Sequence, residues 1–164
     1  MSAVRRGLAI AALVMALDQA TKWWILLSVM RPPRMIEITP FFNLVLTWNR
    51  GVSFGFLNTD SAAGPWILSV LALVVVALLV VWLARAGGWF VIGALGLIIG
   101  GALGNVIDRA VHRAVVDFLD FHWAGYHWPA FNVADSAITV GAAMLVVDSL
   151  FSGRNQKVRM PESQ

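Results

Sequence analysis

Two aspartates with apolar flanks carry the strongest chemical signal in this chain. Asp117 lies in Val115-Val116-Asp117-Phe118, and Asp135 closes Asn132-Val133-Ala134-Asp135. Hydrolysis of a peptide bond needs a base to activate water and an acid to protonate the leaving amine. Two neighbouring carboxylates sharing one proton supply both, because like charges held close together resist ionising together. The pair lies 18 positions apart, and can meet if residues 118–131 fold back over one surface. Asp135 also admits a structural reading. With Asn132 as N-cap and Asp135 at N3, the pair forms a helix-capping arrangement. Val115-Val116-Asp117-Phe118 offers Asp117 no such evident partner.

A second group of polar residues sits inside apolar runs. Asp18 and Lys22 are i, i+4 and share a helix face. They read as a self-neutralised pair, as part of a site, or as both. Gly101, Asn105 and Asp108 fall at i, i+4 and i+7, with Arg109 beside them. A polar stripe on a membrane helix must face protein or water, and helix-to-helix hydrogen bonding alone would satisfy it. Gly96, Gly100 and Gly104 follow small-xxx-small spacing, which is a packing signal. His112, His122 and His127 lack metalloprotease spacing, so neither metal nor cofactor is expected. Ser53 in Gly51-Val52-Ser53-Phe54-Gly55 has the letters of a nucleophile elbow without the helix that must follow it.

These polar residues belong to a chain with few others. Of 164 residues, 12 are Lys or Arg and 9 are Asp or Glu, so 13% are charged, while 59% are hydrophobic. Soluble domains carry about a quarter charged residues, so a water-soluble monomer is excluded. Disorder is excluded with it. The absence of cysteine excludes disulfides, cysteine-ligated zinc, iron–sulfur clusters and a cysteine nucleophile. A pI near 10.2 invites a nucleic-acid reading. The basic residues are dispersed and the net charge is only +3, so no nucleic-acid partner is expected.

Spanning hydrocarbon takes about 20 apolar residues. Four segments qualify: about 7–27, 66–84, 87–107 and 132–151. Arg5-Arg6 before an apolar run also resembles a secretory signal peptide, but no small-residue cleavage site follows and the apolar pattern resumes at Trp23. The fold expected is therefore an all-α polytopic membrane protein of one domain. Its outer segments, about 28–65 and 110–131, hold a small extramembrane β-element and an interfacial helix or loop. Phe42, Leu44, Leu46 and Trp48 alternate with polar or smaller residues, which predicts a strand, and Val52–Leu57 is expected to return as its partner. Asp120–Pro129, crowded with Trp, Tyr and His, is expected at the membrane–water boundary. Counts of basic residues on the two sides tie. Their density in short tails and a tight turn favours cytoplasmic termini.

In order along the chain, five blocks resemble the lipoprotein signal peptidase (signal peptidase II) family of bacterial membrane aspartic proteases. They are Asp18-Gln19-Ala20-Thr21-Lys22, Asn49-Arg50-Gly51-Val52-Ser53-Phe54, Gly100 through Arg109, Val116-Asp117-Phe118 and Phe131-Asn132-Val133-Ala134-Asp135. The resemblance implies an endopeptidase of the bacterial inner membrane with its site towards the periplasmic face. Its substrates would be diacylglyceryl-modified prolipoproteins in the membrane lipid, cut just before the lipidated cysteine, and globomycin its inhibitor. It implies Asp117 and Asp135 as the catalytic pair. It places Asp18, Lys22, Asn49, Gly101, Asn105, Asp108, Arg109 and Asn132 at positions that bind substrate or shape the site. Two other readings compete. A small ion- or proton-coupled transporter also uses intramembrane acids, though such proteins place charge near the midplane and usually carry an internal repeat. A structural or assembly protein would hold its polar residues merely as pairs.

Overall fold

The computed structural model describes residues 2–51 and 63–157. Four helices are long and apolar enough to cross a membrane: Ala3–Val29, Gly64–Arg85, Trp89–His112 and Val133–Phe151. The first comprises α1 (Ala3–Trp24) and a π-helical turn, Ile25–Val29. The others belong to α2 (Gly64–Arg85), α3 (Trp89–His112) and α4 (Val133–Lys157).

Local chemistry sets their ends. The Ser2 hydroxyl accepts the Arg5 backbone N–H at 3.3 Å and caps α1. Pro65 occupies the first turn of α2, where its missing N–H costs nothing. The α2–α3 turn closes at Gly88, whose φ of +84° suits glycine. α2 buries only Pro65, Ser69, Val76 and Leu83, and leaves Val70, Leu71 and Leu78 at 58–65% exposure. In water such a face would drive aggregation. In lipid it carries no penalty, because the solvent is as apolar as the side chains.

α3 is the central helix and packs against α1, α2 and α4. Glycines make the approach possible. A methyl group at Gly100 would stand 2.5 Å from the Ala11 carbonyl oxygen, and one at Gly104 2.5 Å from the Asp18 carboxylate. Gly96 faces Gly7 and Ile10 in the same way. The small-xxx-small stripe therefore seats α3 on α1 within one chain. Gly101, one position round, faces Ala134 and Ile138 of α4.

α1 and α3 end where α2 and α4 begin, so both long connections emerge at one end of the bundle. They pair there as an antiparallel sheet in the order β1-β2-β3-β4. Its strands are β1 (Ile36–Thr39), β2 (Phe42–Asn49), β3 (Val115–Trp123) and β4 (Tyr126–His127). β2 coincides with the alternating segment. Its expected partner Val52–Leu57 lies outside the described residues; the neighbours observed are β1 and β3. The β-element is thus larger than an all-α reading expects.

Asp120–Pro129 is also corrected. It is neither an interfacial helix nor an irregular loop, but the end of β3, a tight turn and β4. Ala124 and Gly125 both have positive φ, 49° and 83°, which matches the twist of a two-residue hairpin. His122 pairs with His127 and Trp123 with Tyr126. Aromatic crowding masked this strand, because its interfacial reading does not distinguish helix from sheet. A buried cluster of Ile25, Met30, Val116 and Phe118 ties the sheet to the π-helical end of the first span.

Candidate active site

Asp117 sits on β3, opposite Thr47 of β2, and is 1% exposed. Asp135 sits in the first turn of α4. One residue touches both. The Asn132 side-chain amide donates to Asp117 Oδ1 at 2.7 Å. Its carbonyl oxygen accepts the Asp135 backbone N–H at 2.9 Å, and its own backbone N–H donates to Asp135 Oδ2 at 3.3 Å. The last two bonds are the reciprocal capping arrangement legible in the sequence. The cap and the site are one construction: starting α4 at Asn132 brings Asp135 to Asp117.

Each carboxylate receives a further donor. Asn49, at the end of β2, donates to Asp117 Oδ2 at 3.0 Å. Asn105 of α3 donates to Asp135 Oδ1 at 2.8 Å. Burial pushes the Asp117 carboxyl up to about 6, and the neighbouring charge of Asp135 pushes in the same direction, against the donors Asn49 and Asn132 and the more distant Lys22. A carboxyl so placed retains its proton far better than one in water, as an acid catalyst working near neutrality must.

Behind the pair lies a buried ionic cluster. Lys22 Nζ contacts Asp18 Oδ2 and Asp108 Oδ2, both at 2.8 Å, and Asn105 Oδ1 at 3.0 Å. Asp18 Oδ1 accepts the Ala134 backbone N–H at 2.9 Å, so this α1 carboxylate also holds the start of α4. Asp108 accepts the Val116 backbone N–H at 3.0 Å and the Gln19 side-chain amide at 2.8 Å. Both carboxylates carry a second donor, which is the condition for a buried ion pair to persist. The self-neutralised pair and the site role are therefore both present in Asp18 and Lys22. The cluster fixes α1, α3, β3 and α4 to one another beside the two aspartates.

Gly101 contributes by having no side chain, which lets Ala134 approach α3. Arg109 donates through Nη1 to the Asn105 backbone carbonyl at 3.3 Å, and its buried Nε has no partner among the described residues. A buried donor without an acceptor is rare and calls for a reason. Arg109 lines a cleft of about 770 Å³ together with Asp117, Asn49, Trp48, Leu68 and Pro129.

The structure thus gathers Asp117, Asp135, Asp18, Lys22, Asn49, Asn105, Asp108, Arg109 and Asn132, with Gly101 as spacer. Sequence reasoning missed Gln19 as a donor to Asp108, although it stands inside the first block. It also missed a second polar cluster, in which Asp120 accepts from Asn43 at 3.0 Å and contacts His127 Nδ1 at 2.9 Å. No spacing signals that contact, because it depends on strand register. Burial pushes the Asp120 carboxyl up, but the bonds from His127 and Asn43 and the charges of both histidines outweigh it and hold it below the ordinary range. His112 packs between Trp23 and Trp48. Among the described residues no three His, Asp or Glu side chains are arranged to hold a metal ion.

The profile of the Signal peptidase (SPase) II family matches residues 10–151. The chain belongs to the signal peptidase II family. It is 45% identical to the lipoprotein signal peptidase of Methylobacterium sp. (strain 4-46) over 89% of each chain. It is 47% identical to that of Aeromonas hydrophila over 93% of each. A solved bacterial membrane enzyme, determined in meso at 2.3 Å, superposes with a TM-score of 0.77 at 28% identity, covering 96% of this chain and 93% of that one. A second, at 1.9 Å, gives 0.77 at 31% identity and covers 88% and 92%. A signal peptidase II is an aspartic peptidase of multi-pass membrane architecture, and the transporter reading finds no support in these relatives. All five sequence blocks lie within the matched region.

Proposed function

We propose that this signal peptidase II removes signal peptides from diacylglyceryl-modified prolipoproteins, cutting just before the lipidated cysteine, with Asp117 and Asp135 as the catalytic pair. The observation that carries the reading is the bridging of both carboxylates by Asn132. One member takes a proton from water, whose oxygen attacks the scissile carbonyl carbon. The other gives its proton to the amine nitrogen as the C–N bond breaks. The pair titrates as a unit, and burial of Asp117 supports its holding the proton. The Arg109 Nε, without a partner among the described residues, supports a role as donor to the developing oxyanion, since the Asn132 amide is already shared among Asp117, Asn105 and Val116.

The substrate's signal peptide is an apolar helix and its acyl chains prefer lipid, so lateral entry from the bilayer suits both. On this reading residues 1–164 act as one membrane-embedded domain. The termini are cytoplasmic and the sheet end, with the site, is periplasmic. The exposed Trp123, Tyr126 and Trp128 fit an interfacial position for the β3–β4 hairpin. β2 and β3 are adjacent strands, and on this reading they form one wall of the entry. Globomycin would occupy the same cleft as substrate.

The test uses the purified protein in lipid with two versions of one prolipoprotein, with and without the diacylglyceryl group. The expected result is mass-verified cleavage before the cysteine in the lipidated version only. Equal cleavage of both, or cleavage elsewhere, overturns the reading.

A further inference from the structure

Three asparagine amides face the two aspartates, and each is held from behind by a group that can only donate. Asn49 Oδ1 accepts the Gly51 backbone N–H at 3.1 Å. Asn132 Oδ1 accepts the Asp135 backbone N–H. Asn105 Oδ1 accepts from the Lys22 ammonium at 3.0 Å and, more weakly, from the Asn132 amide at 3.3 Å. A carboxamide has one accepting end and one donating end. Once its oxygen is claimed, its NH2 must point the other way. All three amides are thereby obliged to present N–H to a carboxylate. For Asn49 and Asn132 the orienting donor is local backbone. For Asn105 it is a charged side chain from another helix, itself held by Asp18, Asp108 and the packing of α1.

We propose that Lys22 is a positioning residue for hydrolysis: through Asn105 it locks an N–H onto Asp135 and so biases the pair's negative charge towards that residue. The proposal rests on Asp117 and Asp135 being the catalytic pair. Without the ammonium, the only other donor to the Asn105 oxygen is the longer bond from the Asn132 amide at 3.3 Å, which Asn132 shares with Asp117, so the Asn105 amide is far less constrained against turning. Its oxygen would then face Asp135, and only a protonated Asp135 could satisfy it. Lys22 thus disfavours the inactive arrangement in which both aspartates hold protons, and confines it to lower pH. The charged groups around the pair are Lys22 from α1 with its partners Asp18 and Asp108, Arg109 from α3, and Arg50, which lines the cleft beside Asp117. Of these only Lys22 both carries positive charge and touches an amide bonded to Asp135 through that amide's side chain.

The test compares kcat and KM against pH for wild type, for Lys22→Gln combined with Asp18→Asn, for Asn105→Leu, and for the triple variant, all in lipid. The double substitution removes the ammonium and one carboxylate together, so net charge is kept. Asn105→Leu cuts the link while leaving both ion pairs intact, and serves if the double variant fails to fold. The expected result is a fall in kcat of about 10-fold with KM within about twofold, since one bond to a charged group is lost. The acid limb of the profile should move up by about one pH unit in either variant, with no further movement in the triple variant. A purely structural role would lower thermal stability and leave the limb in place. An unmoved limb in folded Asn105→Leu, or shifts that add in the triple variant, would overturn the proposal. Loss of the underlying reading looks different: Asp117→Asn would then retain turnover.

Discussion

Asn49 offers the most quantitative handle on the site. It is solvent-exposed at the end of β2, so Asn49→Ala disturbs little packing, yet its amide supplies one of the two side-chain bonds to Asp117. That bond favours the ionised form, because an amide N–H stabilises a carboxylate more than a carboxylic acid. Removing it must raise the proton affinity of Asp117, whose carboxyl burial and the charge of Asp135 already push up to about 6. A hydrogen bond to a charged group contributes roughly 1.5–3 kcal/mol. With Asn49 exposed, solvent screening selects the lower end, and at 1.36 kcal/mol per unit the shift is about one pH unit. The assay is kcat/KM against pH with a lipidated peptide in bilayers, which reports the free enzyme. In wild type the alkaline limb reflects loss of the pair's last proton near the Asp117 value. In Asn49→Ala that limb should move upward by about one unit. A limb that stays put, or moves down, would refute the placement of this proton on Asp117 and the part assigned to Asn49.

Three further outcomes follow, one each from the packing, the second cluster and the chemistry of carboxylates. Gly101→Val should lower thermal stability by about 1–3 kcal/mol, since its side chain meets the Ala134 carbonyl and Ile138; a heat-denaturation scan in detergent reads this. His127→Ala should reduce the stability margin by about 1 kcal/mol or less, because His127 is half exposed and its partner Asp120 buried. The sign follows from linkage. Asp120 is depressed in the folded protein, so its contribution is present above the ordinary carboxylate value and is lost as pH falls through the folded one. The gap between wild type and His127→Ala should therefore close in acid, and turnover at neutral pH should change little. Incubation with a strong chelator should leave turnover unchanged, whereas loss restored by added divalent metal would contradict hydrolysis by carboxylates.

The spans were readable because lipid imposes length and apolarity directly. The strand Phe42–Asn49 was readable from its alternation, and the Asn132–Asp135 cap from spacing alone. The partners of Asp117 were not. Asn49 reaches it through the register of β2 on β3, and that pairing carries an irregularity between Leu44 and Thr47 which no local pattern encodes. The aromatic segment around Trp123 hid a hairpin because membrane-interface composition overrides strand periodicity. Lys22 was legible as the partner of Asp18 one turn away. Its contacts with Asp108 and Asn105 needed the α1–α3 packing that Gly100 and Gly104 permit. Local signals thus gave the residues, while long-range packing decided which of them meet.

The central claim is that Asp117 and Asp135 act as one proton-sharing pair. Its most direct test is single-turnover cleavage of a diacylglyceryl-modified prolipoprotein by wild type, Asp117→Asn and Asp135→Asn, each verified as folded and able to bind substrate. Both variants should bind with near-normal affinity and lose at least about 10³-fold in the chemical step, as removal of an essential acid or base does. Near-normal cleavage by either folded variant would contradict the account.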